Sequence, residues 1–241
     1  MNLIVISELF PPEETSTAYI MGEITKTLSD KYNVTIVCGP EVYDQNKLTV
    51  LPKSSLIAGV TTIRVKGIKE NKANKLSRIR KFLLMSWRLY KASKKVINKG
   101  DKVLLVSNPF PLLILMAFHR KKMDYEISFL AHDLFPEPLL MRFKLPNLVY
   151  RQCLNIFNRS YARMDKIISL GRDMTDVLRE KTMPYNPNLE IIQIENWGDI
   201  NSIYPMDTHS DSDKITIEYA GNMGKSQKLD ALIEIFSKDN N

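Results

Sequence analysis

Short apolar runs alternate with longer segments of helical periodicity along most of this chain. Leu3 to Ser7, Asn33 to Cys38, Thr61 to Lys66, Lys102 to Ser107, Glu126 to Ala131, Lys166 to Leu170 and Glu190 to Ile194 read as strands, each bounded by turn residues. Between most of them the apolar positions recur every three or four residues, which predicts helices over about 16–30, 75–98, 109–121, 147–163 and 172–181. Strand, helix, strand in repetition, with strands made almost wholly of Val, Ile and Leu, implies an α/β chain with a parallel sheet covered on both faces.

The pattern breaks near Glu195. IENWGDINSIYPMDTHSDSDK is polar and rich in turn residues, and ITIEYAGNMGKSQKLDALIEIF then begins a new strand, a glycine-containing loop and a new helix. The expected organisation is a first domain over 1–200, a linker over 201–213 and the start of a second domain over 214–241. One strand and one helix cannot bury a core of their own.

Composition changes this picture little. Hydrophobic residues make up 44% and charged residues 25% of 241, ordinary values for a folded chain. Cys38 and Cys153 fit no disulfide framework or metal knuckle and read as reduced, buried small hydrophobes. The longest apolar run, LLILMAF, has seven residues and ends in His119-Arg120-Lys121-Lys122, so a soluble or peripheral protein is expected. Charge is distributed unevenly. Between Arg64 and Lys102 fourteen Lys and Arg face only Glu70 and Asp101, an excess of twelve within a chain whose net charge is +7. A basic segment on an otherwise acidic chain points to an anionic partner.

That segment contains the helix expected over 75–98. Leu76, Ile79, Leu83, Trp87, Tyr90 and Ile97 form one apolar face, widened by Phe82, Met85, Leu89 and Val96. Arg80, Lys81, Arg88, Lys91 and Lys95 gather on the remaining arc with Leu84 among them. Either the helix packs on the sheet with an ordinary solvated basic face, or Arg80, Leu84, Arg88, Lys91 and Lys95 also meet an anionic membrane surface. Nucleic acid is not the expected partner, because the aromatics Phe82, Trp87 and Tyr90 lie on the apolar faces instead of among the cations.

No GxGxxG follows the first strand, and HExxH, GxSxG and GxxxxGK[ST] are absent. Three histidines and two distant cysteines offer little to a metal, and neither metal nor cofactor is expected. What the chain carries instead is an ordered set of segments: FPPE after the first strand, AHDLFPEPL (131–139) after the fifth, ISLGRDMTDVL (168–178), IENWGD (194–199) and YAGNMGKSQKLD (219–230). Together they resemble the family-4 glycosyltransferases of the two-domain GT-B type, and most closely the bacterial subgroup that builds surface polysaccharides such as O-antigen lipopolysaccharide and capsule.

The resemblance implies a Rossmann-like first domain, the N-terminal, acceptor-side half of a GT-B fold. It implies transfer, with retained configuration, of a hexose-type sugar from a nucleotide-sugar donor to a lipid-linked saccharide acceptor. The protein would then be cytoplasmic and peripheral at the inner face of the cell membrane. It also implies a donor domain with two glutamates separated by seven residues, which these 241 residues do not include. A second reading is therefore a non-catalytic acceptor-binding module, or one half of an enzyme whose donor domain comes from a second chain.

Site residues follow from the matched segments. Thr15, Ser16 and Thr17 stand where relatives place a glycine pair near donor phosphates; either they contact substrate, or Ser16 is an N-cap with Glu13 and Glu14 ahead of the helix. His132, at the carboxyl end of a strand, is expected to contact sugar with Asp133 orienting it; otherwise it stabilises a loop stiffened by Pro136 and Pro138. Glu137 either binds substrate or anchors that loop. Arg172 either reaches a phosphate or sugar, or is a solvated helix-start residue, and Asn196 either lines the cleft or caps a strand end beside a packing Trp197. Gly221, Asn222, Gly224, Lys225 and Lys228 are the donor-loop candidates, glycine amides being able to approach an anion closely.

Overall fold

The computed structural model describes residues 1–41, 57–71, 74–120, 122–138, 146–198, 203, 217–221 and 227–238. It divides into two units, Met1–Trp197 and Gly198–Asn241.

In the first unit β1 (Asn2–Ser7) is followed by α1 (Ser16–Ser29), β2 (Asn33–Cys38), β3 (Val60–Arg64), α2 (Lys75–Ser93) and β4 (Lys102–Val106). Then come α3 (Pro111–Arg120), β5 (Glu126–Ala131), α4 (Asn147–Tyr161), β6 (Lys166–Ser169), α5 (Arg172–Thr182) and β7 (Glu190–Gln193). The strands form one sheet in the order β3-β2-β1-β4-β5-β6-β7, and every neighbouring pair is parallel. The order reverses between β1 and β4. Ligands of such sheets bind outside the carboxyl ends of the strands at this reversal.

The reversal also sorts the helices. Right-handed crossovers place α1 on one face and α2 to α5 on the other. Accordingly Met21 of α1 packs with Leu3, Val5, Val34, Ile36, Leu104 and Leu130. Met85 and Leu89 of α2, Leu112 and Met116 of α3, Phe157 of α4 and Leu178 of α5 pack with Ile4, Ile6, Leu105, Ile127 and Phe129. Strands buried on both sides explain the unbroken Val/Ile/Leu runs. Burial of each such side chain contributes about 1.5–3 kcal/mol before entropy is counted.

Polar contacts fix the ends of the elements. His119 is a core residue, its Nδ1 sitting 3.2 Å from the Tyr125 hydroxyl. Arg120 donates from Nε and Nη2 to Asp165 at 3.2 and 3.0 Å, and Asp165 also accepts from the Ile127 amide at 2.7 Å. Cys38 is buried as expected, whereas Cys153 is only half-buried.

Two expectations fail at helices. Thr15, not Ser16, caps α1, accepting from the Ala18 amide at 3.2 Å. The face expected to bury α2 is also wrong at its amino-terminal half. Leu76, Ile79, Leu83 and Trp87 are exposed, while Lys81, Met85, Ser86, Leu89 and Ser93 are buried. The reason is a strap, residues 65–71, laid along the helix. Arg88 Nη1 donates to the carbonyls of Lys66 (2.8 Å) and Gly67 (3.0 Å), Arg80 to that of Lys69 (3.4 Å), and Lys81 and Arg78 pair with Glu70 at 3.1 and 3.4 Å. These contacts bring the Lys81 side of the helix against the protein and leave the leucine side outward.

The second unit shows α6 (Leu229–Lys238). Lys228, with φ 49°, precedes it and its carbonyl accepts from the Ala231 and Leu232 amides at 3.1 and 3.3 Å. Asn222, Gly224 and Lys225 lie outside the described residues.

Candidate functional site

Three loops meet the carboxyl edge around the reversal, those after β1, β4 and β5. The loop after β1 is FPPE. Phe10 anchors it in the core, and Arg64 at the end of β3 donates to the Pro11 carbonyl. Gly22 of α1 lies so close that a Cβ there would stand 2.7 Å from the Pro11 ring. Thr15 and Thr17 are half-buried and Ser16 is exposed at the start of α1, where helix amides carry partial positive charge.

The loop after β5 is held even more tightly. The Ser107 hydroxyl, just past β4, accepts from the amides of His132 and Asp133, both at 3.2 Å. Asn108 Nδ2 donates to Asp133 Oδ2 at 3.1 Å. The buried Tyr161 hydroxyl accepts from the Phe135 amide at 3.0 Å and lies 3.3 Å from its carbonyl. Lys181, 7% exposed on α5, pairs with Glu137 Oε1. Below the loop the rings of Phe110 and Phe135 stack with centroids 4.7 Å apart. The loop that carries His132 is therefore fixed from three places, the loop after β4, α4 and α5, which is what a group that positions substrate requires.

His132 itself is half-buried, and its Nε2 has no hydrogen-bond partner among the described residues. Burial lowers its pKa, with the charge of Asp133 acting in the opposite direction. The imidazole is thus neutral at pH 7 and can take or give one hydrogen bond at Nε2. Asp133 is exposed, and the hydrogen bond its carboxylate makes is to Asn108, not to the His132 ring that it was expected to orient. Glu137 serves as the loop's anchor through Lys181.

The other expected residues are placed apart. Arg172 is exposed as the first residue of α5, whose N-terminal Gly171 supplies no side-chain cap. Asn196 and Trp197 line a cavity of about 390 Å³ against the sheet face, together with Lys102, Glu126 and Lys166, the first residues of their strands. Asn196 is therefore not brought to His132. Gly221, at φ 155°, and Lys228 belong to the second unit.

One residue was missed. Glu8, the first residue past β1, is 5% exposed, and its Oε1 has no partner among the described residues. Its amide donates to the Asn108 carbonyl at 3.4 Å and its carbonyl accepts from Gly39 at 3.0 Å, so it stands at the β1–β4 reversal. Burial pushes its carboxyl up to about 7, Lys81 pulls it down and Glu70 adds to the rise. The only signal in the sequence was an acid at the end of an apolar strand. Among the described residues no group of His, Cys, Asp and Glu forms a metal cluster.

No family model matches the chain. Over 96% of its length it is 23% identical to the probable glycosyltransferase WbjE of Pseudomonas aeruginosa. The fold recurs in the N-terminal domain of Candida albicans trehalose-6-phosphate phosphatase, with TM-score 0.56 and 11% identity over 80% of this chain and 48% of that one. It recurs again in the E. coli trehalose-6-phosphate protein solved with UDP-2-fluoro glucose, with TM-score 0.50 and 14% identity over 80% of this chain and 48% of that one. The chain is similar to a probable glycosyltransferase along most of its length, and its fold is that of the GT-B type. Its seven-stranded sheet is the Rossmann-like domain of that fold. The chain spans 58% of the length of WbjE.

Proposed function

We propose that this chain is the acceptor-side part of a glycosyltransferase that moves a hexose-type sugar from a nucleotide-sugar donor to a lipid-linked saccharide, in the synthesis of O-antigen, capsule or another surface polysaccharide. The observation that carries the reading is the similarity to WbjE along 96% of the chain. The fixed loop at the carboxyl edge supports it, with a His132 Nε2 that is buried and left without a hydrogen-bond partner among the described residues. In this reading His132 holds a sugar hydroxyl, and Asp133 sets the local field. The amides and hydroxyls at Thr15, Ser16 and Thr17, with Arg172, lie on the same edge for a phosphate or sugar. The donor loop comprises Gly221, Asn222, Gly224, Lys225 and Lys228. Catalysis rests on positioning and on stabilising the departing diphosphate. Arg80, Leu84, Arg88, Lys91 and Lys95 would keep the protein at the cytoplasmic, inner face of the cell membrane, where such acceptors are found.

A second reading, which the resemblance also allows, is that the donor domain is supplied by a second chain. One assay tests both. Labelled nucleotide sugars are incubated with inner-membrane vesicles and the chain, alone or with a polypeptide carrying the remaining donor domain. Label entering the lipid-extractable fraction is then counted. Transfer by the chain alone supports the first reading, and transfer only after addition supports the second. In whichever mixture is active, His132→Ala should lower kcat/KM by about 100-fold with an unchanged melting temperature. Unaltered turnover would remove His132 from the site.

A further inference from the structure

Glu8, at the β1–β4 reversal, is a buried acid that neither the sheet nor the sugar site needs. It is 5% exposed, and its Oε1 has no partner among the described residues. A buried oxygen left unsatisfied destabilises the state that holds it, which favours any state where water or a cation reaches it.

The groups around the carboxyl come from five places. Gly39, after β2, packs on its stem, so that a Cβ there would collide with the Glu8 carbonyl and stand 3.4 Å from its Cγ. Cys38 beside it is a neutral thiol, pushed up to about 11 by burial. Asn108, after β4, accepts from the Glu8 amide at 3.4 Å and brings no charge. Arg64, at the end of β3, directs its guanidinium to the carbonyls of Gly39 and Pro11. The charges that act on the Glu8 carboxyl are Lys81 of α2 and Glu70 of the strap. Those two pair at 3.1 Å with side chains 6% and 15% exposed, and Arg78 stands 3.4 Å from Glu70.

A buried lysine is thus set between two acids. While Glu8 is neutral, Lys81 belongs to Glu70 and ties the strap to α2. Once Glu8 loses its proton to solvent, two carboxylates draw on the same cation. The strap is the side that can yield. Its other holds are Arg80 and Arg88 on its carbonyls, the Asn71 amide on Ser77 Oγ at 2.9 Å, and the partly buried Val65 and Ile68. A segment with so few buried apolar contacts opens locally before the sheet does.

We propose that residues 65–71 are a proton-controlled latch beside Glu8, shut while Glu8 is neutral and released when Glu8 ionises and competes with Glu70 for Lys81. In the released state Lys81 stays with Glu8 and water reaches the pair. Release therefore uncovers a carboxylate at the end of β1, on the edge of the sheet where ligands bind. The latch is independent of the transferase reading, and its test uses neither donor nor acceptor.

Hydrogen exchange of the strap amides, followed by mass spectrometry on the full chain from pH 6 to pH 9 and corrected for intrinsic rates, measures the released fraction. The shut state holds its proton up to about pH 7 and the released state has lost it, so rising pH favours release. Strap exchange should increase about tenfold between pH 6 and pH 8 and level off above, while β4 amides stay far better protected. Glu8→Gln should abolish the increase and keep the strap at its pH 6 protection. Glu70→Gln removes the tie itself and should leave the strap exchanging fast at both pH values.

Equal protection of the strap at pH 6 and pH 8 in the unmodified chain overturns the latch. So does an increase that persists in Glu8→Gln, because the proton then sits elsewhere. A strap that stays shut in Glu70→Gln overturns the competition for Lys81. Strap amides that exchange only together with those of β4 would show opening by global unfolding, and the latch would fall with that result.

Discussion

α2 and α3 lie side by side on one face of the sheet, and each is rich in leucine and methionine. In α3 most large side chains turn inward: Leu112, Leu113 and Met116 are buried, even His119 is taken into the core and paired with Tyr125, and Phe118 is the exception at 55% exposed. In α2 Met85 and Leu89 are buried together with Lys81, Ser86 and Ser93, while five large apolar residues face out. Similar leucine-rich apolar sets thus make a core helix in one place and, where six Lys and Arg accompany them, a two-sided helix in the other. The difference is the strap. α3 has the sheet and two helices to cover it, whereas the amino-terminal half of α2 is rotated by polar contacts with residues 66–71 that bring Lys81, not Leu83, to the protein.

The comparison breaks most severely at Lys81. It is buried beside Glu70, with which it pairs at 3.1 Å, and it also pulls on the buried Glu8. Removing Lys81 leaves Glu70 with Arg78 alone and takes from buried Glu8 the cation that pulls it down, so Lys81→Ala should cost about 3–5 kcal/mol in chemical denaturation at neutral pH. A loss below about 1 kcal/mol would mean that the strap does not orient α2. In α3, Leu112→Ala should cost about 2–5 kcal/mol, because the fully buried site cannot collapse around the missing methyls.

Glu8 adds a pH dependence to the underside of α2. Its carboxyl rises from 4.5 to about 7 on burial, so the native state keeps a proton that the unfolded chain has released. Stability therefore falls as pH climbs from 4.5 to 7, and the full cost above that window is about 3 kcal/mol. Glu8→Gln should flatten this slope, leaving a protein more stable than the original at pH 8. Denaturation at pH 5 and pH 8 reads it directly, and an unchanged slope would show that Glu8 is solvated.

How much of this was legible before the structure depends on the kind of signal. The seven strands and the helices between them were readable because parallel strands buried on both faces must be continuously apolar. Boundaries differed by a few residues, as for α2, which ends at Ser93 instead of near 98. The orientation of α2 was not readable. Its sequence offers two apolar faces, one through Leu76, Ile79, Leu83 and Trp87 and one through Phe82, Met85 and Leu89, and periodicity cannot choose between them. The choice is made by side chains that donate to strap carbonyls, and carbonyls leave no mark in a sequence. At the site, His132 was singled out because it follows a strand at the edge where ligands bind and because its segment resembles that of a known family, whereas Pro136 and Pro138 spoke only for a stiffened loop. Glu8 was missed because an acid after a strand ordinarily reads as solvated, and only packing by Gly39, Asn108 and Lys81 shows otherwise.

The smallest stability effect carries the most discrimination. Leu83 is 55% exposed, so Leu83→Ser removes little that the folded chain had buried, and stability should stay within about 0.5 kcal/mol of the original. A sequence-based reading that buries Leu83 in the core predicts instead a loss of several kcal/mol, like that at Leu112. The two outcomes are far enough apart for a single denaturation curve to separate them. If Leu83→Ser unfolds the protein, the strap holds α2 the other way round and the leucine stripe is core. If it does not, the apolar surface of α2 is kept outside at no structural benefit, and its reason for being apolar lies in what it meets.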